Sequence, residues 1–335
     1  MAFNIVGSNI DQFEINGRHY KIEYRAGIQN PLRNDLESII RVFCETEIAE
    51  KLPRITFVIE RNKVNDAALA WIDTKEAKGG LKVIHLDAPS LQESHAKESN
   101  TSFTRYIVKA LAHEASHLIR EMISREITIK DLTQKRLSEH LAKSKKVDDH
   151  SQFSVILEVT RWWLHRFIND LHTEGFAEFN TGQIATRFDY NETYQDSLYR
   201  ISKRKLLEIE ALRTSLFSKF EEIQNPEKYK GRESDYFADL ESLGKLVTNF
   251  TLKIRHNSYG IGEYMYYLIN YHSKKEIDFV KIKVFKFIKK YEEIEISKNR
   301  KPIISLNSKQ GYFDYNHTLA EWAAAVKVMR NRKKK

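Results

Sequence analysis

The sequence predicts an α+β protein, with a small antiparallel-containing α/β layer at the N-terminal end followed by a mostly helical body. Three observations carry this. Short runs of alternating polarity, separated by turn residues, fill the first part of the chain. From about Ser124 onward apolar residues recur at three- and four-residue spacing almost without a break. Twelve Gly and five Pro in 335 residues favour long helices over irregular linkers. Strands first and helices after is the α+β pattern. The predicted boundary puts an N-terminal subdomain at 1–92 and a helical subdomain at 93–335.

Taken in order, Asn16-Gly17 stands between two alternating runs within residues 12–26, a strong hairpin signal. Pro31 opens a helix whose apolar face is Leu36, Ile39, Ile40, Phe43 and Ile48, and Pro53 stops it. Arg54–Glu60 reads as a strand. Asn65–Asp73 and Leu81–Asp87 read as two more, joined through Lys78-Gly79-Gly80 as an antiparallel hairpin. Thr128–Ser144 reads as an exposed, lysine-rich helix carrying Leu132, Leu137 and Leu141 inward. Gln152–Thr186 is one long helical pattern with a possible interruption at Gly175. Gln195–Ile223 is an amphipathic helix ended by Asn225-Pro226. Ser234–Ile254 follows, then a loop at His256-Asn257-Ser258, then helices at Tyr259–His272, Lys275–Ile294 and Leu319–Met329.

Composition narrows the function. The single cysteine, Cys44, rules out an intrachain disulfide, and its apolar neighbours mark it as a small core residue. The N-terminus lacks a secretory pattern, and no window is apolar for long enough to cross a bilayer. These features predict a soluble, cytoplasmic protein with no membrane partner. The net charge of +9 draws on a basic tail, Arg332–Lys335, which reads as a solvated end. With no helix-turn-helix, zinc-finger or RNP signature, nucleic acid is not the expected partner.

The chemistry lies in two stretches. The first is His113-Glu114-Ala-Ser-His117, inside an apolar-periodic segment with Phe103, Ile107, Val108, Leu111, Leu118 and Ile119 at helical spacing and Thr101 or Ser102 as N-cap. On a helix His113 and His117 stand one turn apart on one face, so both imidazoles can reach a single Zn²⁺ at about 2.0–2.1 Å. Glu114, beside that pair, is placed to take a proton from water. The second stretch is His172-Thr-Glu174-Gly175-Phe-Ala-Glu178. A catalytic zinc needs a third protein ligand, and Glu174 is the choice. Glu178, one turn on, shares its face and is placed to accept the outer ring N–H of a ligand histidine, most readily His113. Gly175 would let this helix approach the metal helix. His172 is the rival ligand, but it lies on a different face of the helix. His165 reads as a core or surface histidine, and His85, His140, His150 and His317 have no partner at a legible spacing.

Together these motifs resemble the gluzincin metallopeptidases, the group of thermolysin and the zinc aminopeptidases, in which His-Glu-x-x-His on one helix is joined by Glu-x-x-x-Asp/Glu on another. The resemblance spans roughly residues 54–270 and implies that the helical subdomain is zincin-like and forms one catalytic unit with the N-terminal subdomain. It implies one Zn²⁺ on His113, His117 and Glu174, Glu178 as supporting acid, Glu114 as general base, and a peptide or protein as substrate. Tyr259-Gly-Ile-Gly262 matches the aminopeptidases' Tyr-x-x-Gly in chain order. That implies Tyr259 as the oxyanion donor, with His256 and Tyr264 as rivals. The resemblance also implies that Ala68 and Ala70 lie on an edge strand that pairs with an extended substrate. The aminopeptidases' Gly-x-Met-Glu-Asn motif is absent, and a 128–150 insert separates the two metal stretches. The other reading is a non-peptidase zinc-binding protein, or a protein- or nucleic-acid-interaction protein, on the same scaffold.

Overall fold

The computed structural model describes residues 10–25, 30–52, 54–61, 68–98, 102–119, 150–185, 193–271, 274–297, 299–302, 304–306 and 313–314, with Lys135 and Glu139 as isolated positions. It is an α+β protein. The chain divides into two compact units: Met1–Ile127 with Ala177–Asn191, and Thr128–Phe176 with Glu192–Lys335.

The first unit is built on a five-stranded mixed sheet. Strands β1 (Ile10–Ile15) and β2 (Arg18–Tyr24) form an antiparallel hairpin. Its turn residues Asn16 and Gly17 have φ of 51° and 73°. Two successive left-handed residues make the turn whose twist matches paired strands, and Asn-Gly accepts that geometry at least cost. Strand β2 then pairs in parallel with β3 (Arg54–Ile59), and β3 with β5 (Val83–Leu86). Strand β4 (Ala70–Trp71) closes the border antiparallel to β5, giving the order β1-β2-β3-β5-β4.

Alternation decides which face is covered. Tyr20, Ile22, Ile55, Phe57, Ile59, Ile84 and Leu86 are buried, against Leu36, Ile39, Ile40 and Phe43 of α1 (Asn30–Cys44) and Ile107, Val108, Leu111, Ala112 and Ala115 of a later helix, Phe103–His117. The helix expected to run from Pro31 to Pro53 is broken into α1 and a single turn, α2 (Glu47–Glu50), with Thr46 in extended backbone between them. The long strand expected at 65–73 is corrected to the two residues of β4. The connection to β5 carries a helical turn, α3 (Thr74–Lys78), because the Asp73 carboxylate caps it by accepting from the backbone N–H of Lys75 at 2.6 Å and of Glu76 at 3.3 Å. Residues 65–67 of that reading lie outside the described residues. Helix α4 (Ala88–Glu98) follows, and Phe103–His117 is α5. Cys44 is fully buried in this core, and burial pushes its thiol well above the ordinary range, which makes it inert packing.

The second unit is helical. It comprises α6 (His150–Ala185) up to Phe176, α7 (Thr193–Ile223), α8 (Glu233–Tyr271) and α9 (Lys274–Ser297). Leu164, Phe167, Ile168 and Leu171 meet Leu206, Ile209, Phe220, Phe250, Ile254 and Phe287 in one core. Ion pairs Lys219–Asp239 and Lys253–Glu208 run α7 and α8 antiparallel, with a 3₁₀ turn at Pro226–Tyr229 between them. Deep in the unit Arg161 bonds Glu158 and Glu295, the latter at 2.5 Å, and Arg300 reaches Glu158 at 3.3 Å. These bonds tie α6 to the C-terminal end of α9. A short parallel pair, β6 (Ile304–Ser305) with β7 (Phe313–Asp314), was not anticipated from the sequence.

Two expected breaks are absent. Helix α8 runs straight through His256-Asn257-Ser258. The Asn257 amide donates back to the Lys253 carbonyl at 2.8 Å, so its polarity is satisfied within the helix instead of diverting the chain. Helix α6 runs through Gly175, where α8 packs against it: a Cβ on Gly175 would lie 2.4 Å from the Gly262 Cα. The glycine is there for a close approach, and its neighbour is α8, not the metal helix as expected. Of the predicted Thr128–Ser144 helix, only Lys135 and Glu139 are described, both helical and exposed; Leu319–Met329 lies outside the described residues. No helix among the described residues is long and apolar enough to cross a membrane.

Candidate metal centre

Helix α5 begins at Ser102, whose hydroxyl accepts from the Arg105 N–H at 3.3 Å. Its apolar stripe, Ile107, Val108, Leu111, Ala112 and Ala115, is consumed by the sheet. That leaves the neighbouring stripe, with His113, Glu114 and His117, to face elsewhere. His113 and Glu114 are half-buried and His117 is buried.

The two imidazoles converge. Their Nε2 atoms are 3.3 Å apart, with ring centroids at 5.0 Å and planes at 74°. Two ligand atoms on one tetrahedral Zn²⁺, each about 2.0–2.1 Å from it, stand about 3.3–3.4 Å apart. The pair is therefore spaced as such an ion requires.

Helix α6 supplies the acids. Glu178 Oε1 lies 3.1 Å from His113 Nδ1. With the Nδ1 proton facing this carboxylate, Nε2 would keep its lone pair for a metal, the tautomer a ligand histidine needs. One turn earlier on the same unbroken helix is Glu174, which is buried. One ligand atom from each of His113, His117 and Glu174 lie within 4.8 Å of one another. His172, also buried on α6, is not in this group.

A contact absent from the sequence reading helps hold the helices together. The Asn180 amide donates to the Ser116 hydroxyl at 3.3 Å, and Ser116 donates to the Ala112 carbonyl at 2.7 Å. Ser116 is one of the two variable positions inside the motif, and Asn180 falls two residues beyond the acidic pair. Their only sequence signal is being polar within a buried helical stripe.

The remaining expected site residues have these places. Tyr259 is half-buried in the interior of α8, one turn before Gly262, and Tyr264 is buried. His256 is in α8, but its side chain lies outside the described residues. Ala68 and Ala70 are half-buried at the sheet border, with Ala70 in β4 opposite Leu86. His85, without a partner at the level of sequence, has two carboxylates in the fold, Glu60 and Glu76. Comparison with known protein families, with characterised proteins and with solved structures finds no match.

Proposed function

We propose that this protein is a zinc-dependent metallopeptidase of gluzincin type. The observation that carries the reading is the convergence of one ligand atom each from His113, His117 and Glu174 within 4.8 Å. Two imidazoles and one carboxylate make the three-ligand set of a catalytic zinc, which keeps a fourth position open. The Glu178 carboxylate 3.1 Å from His113 Nδ1 supports it, since a carboxylate behind a ligand histidine is the usual outer partner. An antiparallel border strand of the sheet on which α5 packs supports the peptide part of the reading, because an extended chain can add to such an edge.

Bound here, Zn²⁺ would supply Lewis acidity and bring the acidity of water toward neutral pH. The Glu114 carboxylate would accept the proton of the attacking water and hand it to the leaving amine. Tyr259 would donate its hydroxyl to the developing oxyanion, with His256 and Tyr264 as the other donors of α8 to be weighed. Glu178 would hold His113 in one tautomer throughout.

The test is metal analysis of the purified chain together with hydrolysis of an unstructured protein substrate, with and without chelator. About one zinc per chain, chelator-sensitive cleavage, and a Glu114→Gln variant that keeps zinc but loses cleavage are the expected results. Zinc bound without any hydrolysis would move the reading to a non-catalytic zinc protein. No zinc at all would remove both.

A further inference from the structure

Away from the metal cluster, one buried ring stands between two acids. His85 of β5 meets Glu60 Oε1 through Nδ1 at 2.7 Å and Glu76 Oε2 through Nε2 at 2.8 Å. Its side chain is 5% exposed. One flat face lies on the Trp71 indole, with centroids 5.1 Å apart and planes at 12°. An ionised carboxylate only accepts, so a ring nitrogen that carries a proton donates it to the acid it faces. Behind Glu60 the alternation of charge continues: Arg25 lies 3.5 Å from Glu60 and 2.8 Å from Glu23, and Lys21 is 3.2 Å from Glu23.

Each partner comes from a different element. Glu60 follows β3, Glu76 is on α3, and Trp71 is the register partner of His85 on β4. One imidazole therefore fastens α3 and the border strand to the centre of the sheet. Among the described residues the border strand is also held by the Ala70–Leu86 and Trp71–His85 pairs, by the bond from the Asp87 N–H to the Leu69 carbonyl at 2.9 Å, and by packing of Leu69, Ala70 and Ile72 on the core. Two-residue pairing is weak by itself, so side chains decide whether this edge is ordered.

We propose that the Glu60–His85–Glu76 bridge is a positioning device that keeps β4 and α3 seated, so that an extended peptide meets a fixed backbone edge. Its substrate role rests on the peptidase reading above; its hold on β4 does not. An edge already ordered spares the incoming chain the entropy of ordering it, so the bridge acts on affinity. None of its residues need touch the reacting atoms.

The experiment is amide hydrogen exchange on the full chain, comparing the unaltered protein with His85→Phe, which keeps a ring on Trp71 but loses both bonds. Glu76→Gln is the milder companion, at a part-exposed position that tolerates change. Exchange at Leu69–Trp71 and Asp87 should quicken about tenfold in His85→Phe and by less in Glu76→Gln, while the α5 amides keep their protection. With a peptide substrate, KM should rise several-fold at nearly constant kcat, with zinc content unchanged. Unaltered exchange at these amides in both variants overturns the proposal, and so does a fall in kcat at constant KM. Absence of hydrolysis in the unaltered protein counts against the peptidase reading alone, because the bridge is judged by the exchange.

Discussion

The Asn180 amide reaches the Ser116 hydroxyl across 3.3 Å, joining α6 to α5 at the residue next to His117. Both partners are buried, and the Ser116 hydroxyl in turn donates a hydrogen bond to the Ala112 carbonyl. Losing one such bond costs about 0.5–1.5 kcal/mol net, and more where the remaining group is left without a partner. Asn180→Leu and Ser116→Ala should each lower stability by about 1 kcal/mol and weaken zinc binding. Because they share one bond, the double variant should lose less than the two single losses added together. Full additivity in denaturant and zinc titrations would mean that the two side chains act separately.

Metal affinity should separate the acids of α6. Glu174→Ala should strip zinc from the protein, whereas His172→Ala should leave it loaded. Glu178→Gln should keep the site but weaken it about 10–100-fold, since it removes the charge that orients His113. Competition against a chelator of known affinity measures all three. A loss confined to His172→Ala would reassign the third ligand.

Gly175 gives a prediction whose sign depends on two opposed effects. Alanine is favoured over glycine inside a helix by about 1 kcal/mol. The added methyl, however, would sit 2.4 Å from the Gly262 Cα, and main chain cannot move aside as a side-chain tip can. Overpacking of this kind costs about 1–3 kcal/mol, so it wins and Gly175→Ala should be destabilising. Thermal unfolding of the variant measures this; an unchanged or raised midpoint would mean that the crossing is looser than described.

Acid should reveal Asp239. Its carboxylate accepts from Lys219 at 2.6 Å, Tyr229 at 2.6 Å and Lys228 at 2.9 Å. These bonds, Lys219 first, hold it well below the usual carboxylate range. A group depressed in the folded state stabilises at any pH above its unfolded value of about 3.9, and that contribution fades as pH falls toward the folded value. Asp239→Asn should therefore be less stable than the unaltered protein at neutral pH, and the gap should close as pH drops below about 4. Urea midpoints across that range are the measurement. A gap independent of pH would mean that the residue acts by packing.

The candidate metal ligands were legible in the sequence because the chemistry proposed for them is tied to local spacing: His113 and His117 one turn apart, and Glu174 and Glu178 one turn apart. The hairpin at Asn16-Gly17 was equally plain, since the turn type dictates its residues. What local spacing could not supply was tertiary pairing. Asn257 looks like a loop residue until its amide is seen to bond Lys253 one turn back. Gly175 looks like a helix breaker or a neighbour of the metal helix until Gly262 is found against it. His85 was mute because its partners, Glu60 and Glu76, follow no periodic rule relative to it. Asp73, taken as the end of a strand, is a cap, and only the backbone N–H groups of Lys75 and Glu76 distinguish the two.

The Arg161 group lies beyond the reach of mobile ions. Dissolved salt screens charges at the surface over about 10 Å at 0.1 M but scarcely touches those enclosed by protein. Raising ionic strength should therefore loosen Lys219 and Lys228 from Asp239 while leaving the grip of Arg161 on Glu295 as it is. The alignment of α6 along α9 is thus insulated from the medium, and the same rod carries Glu174 further along its length.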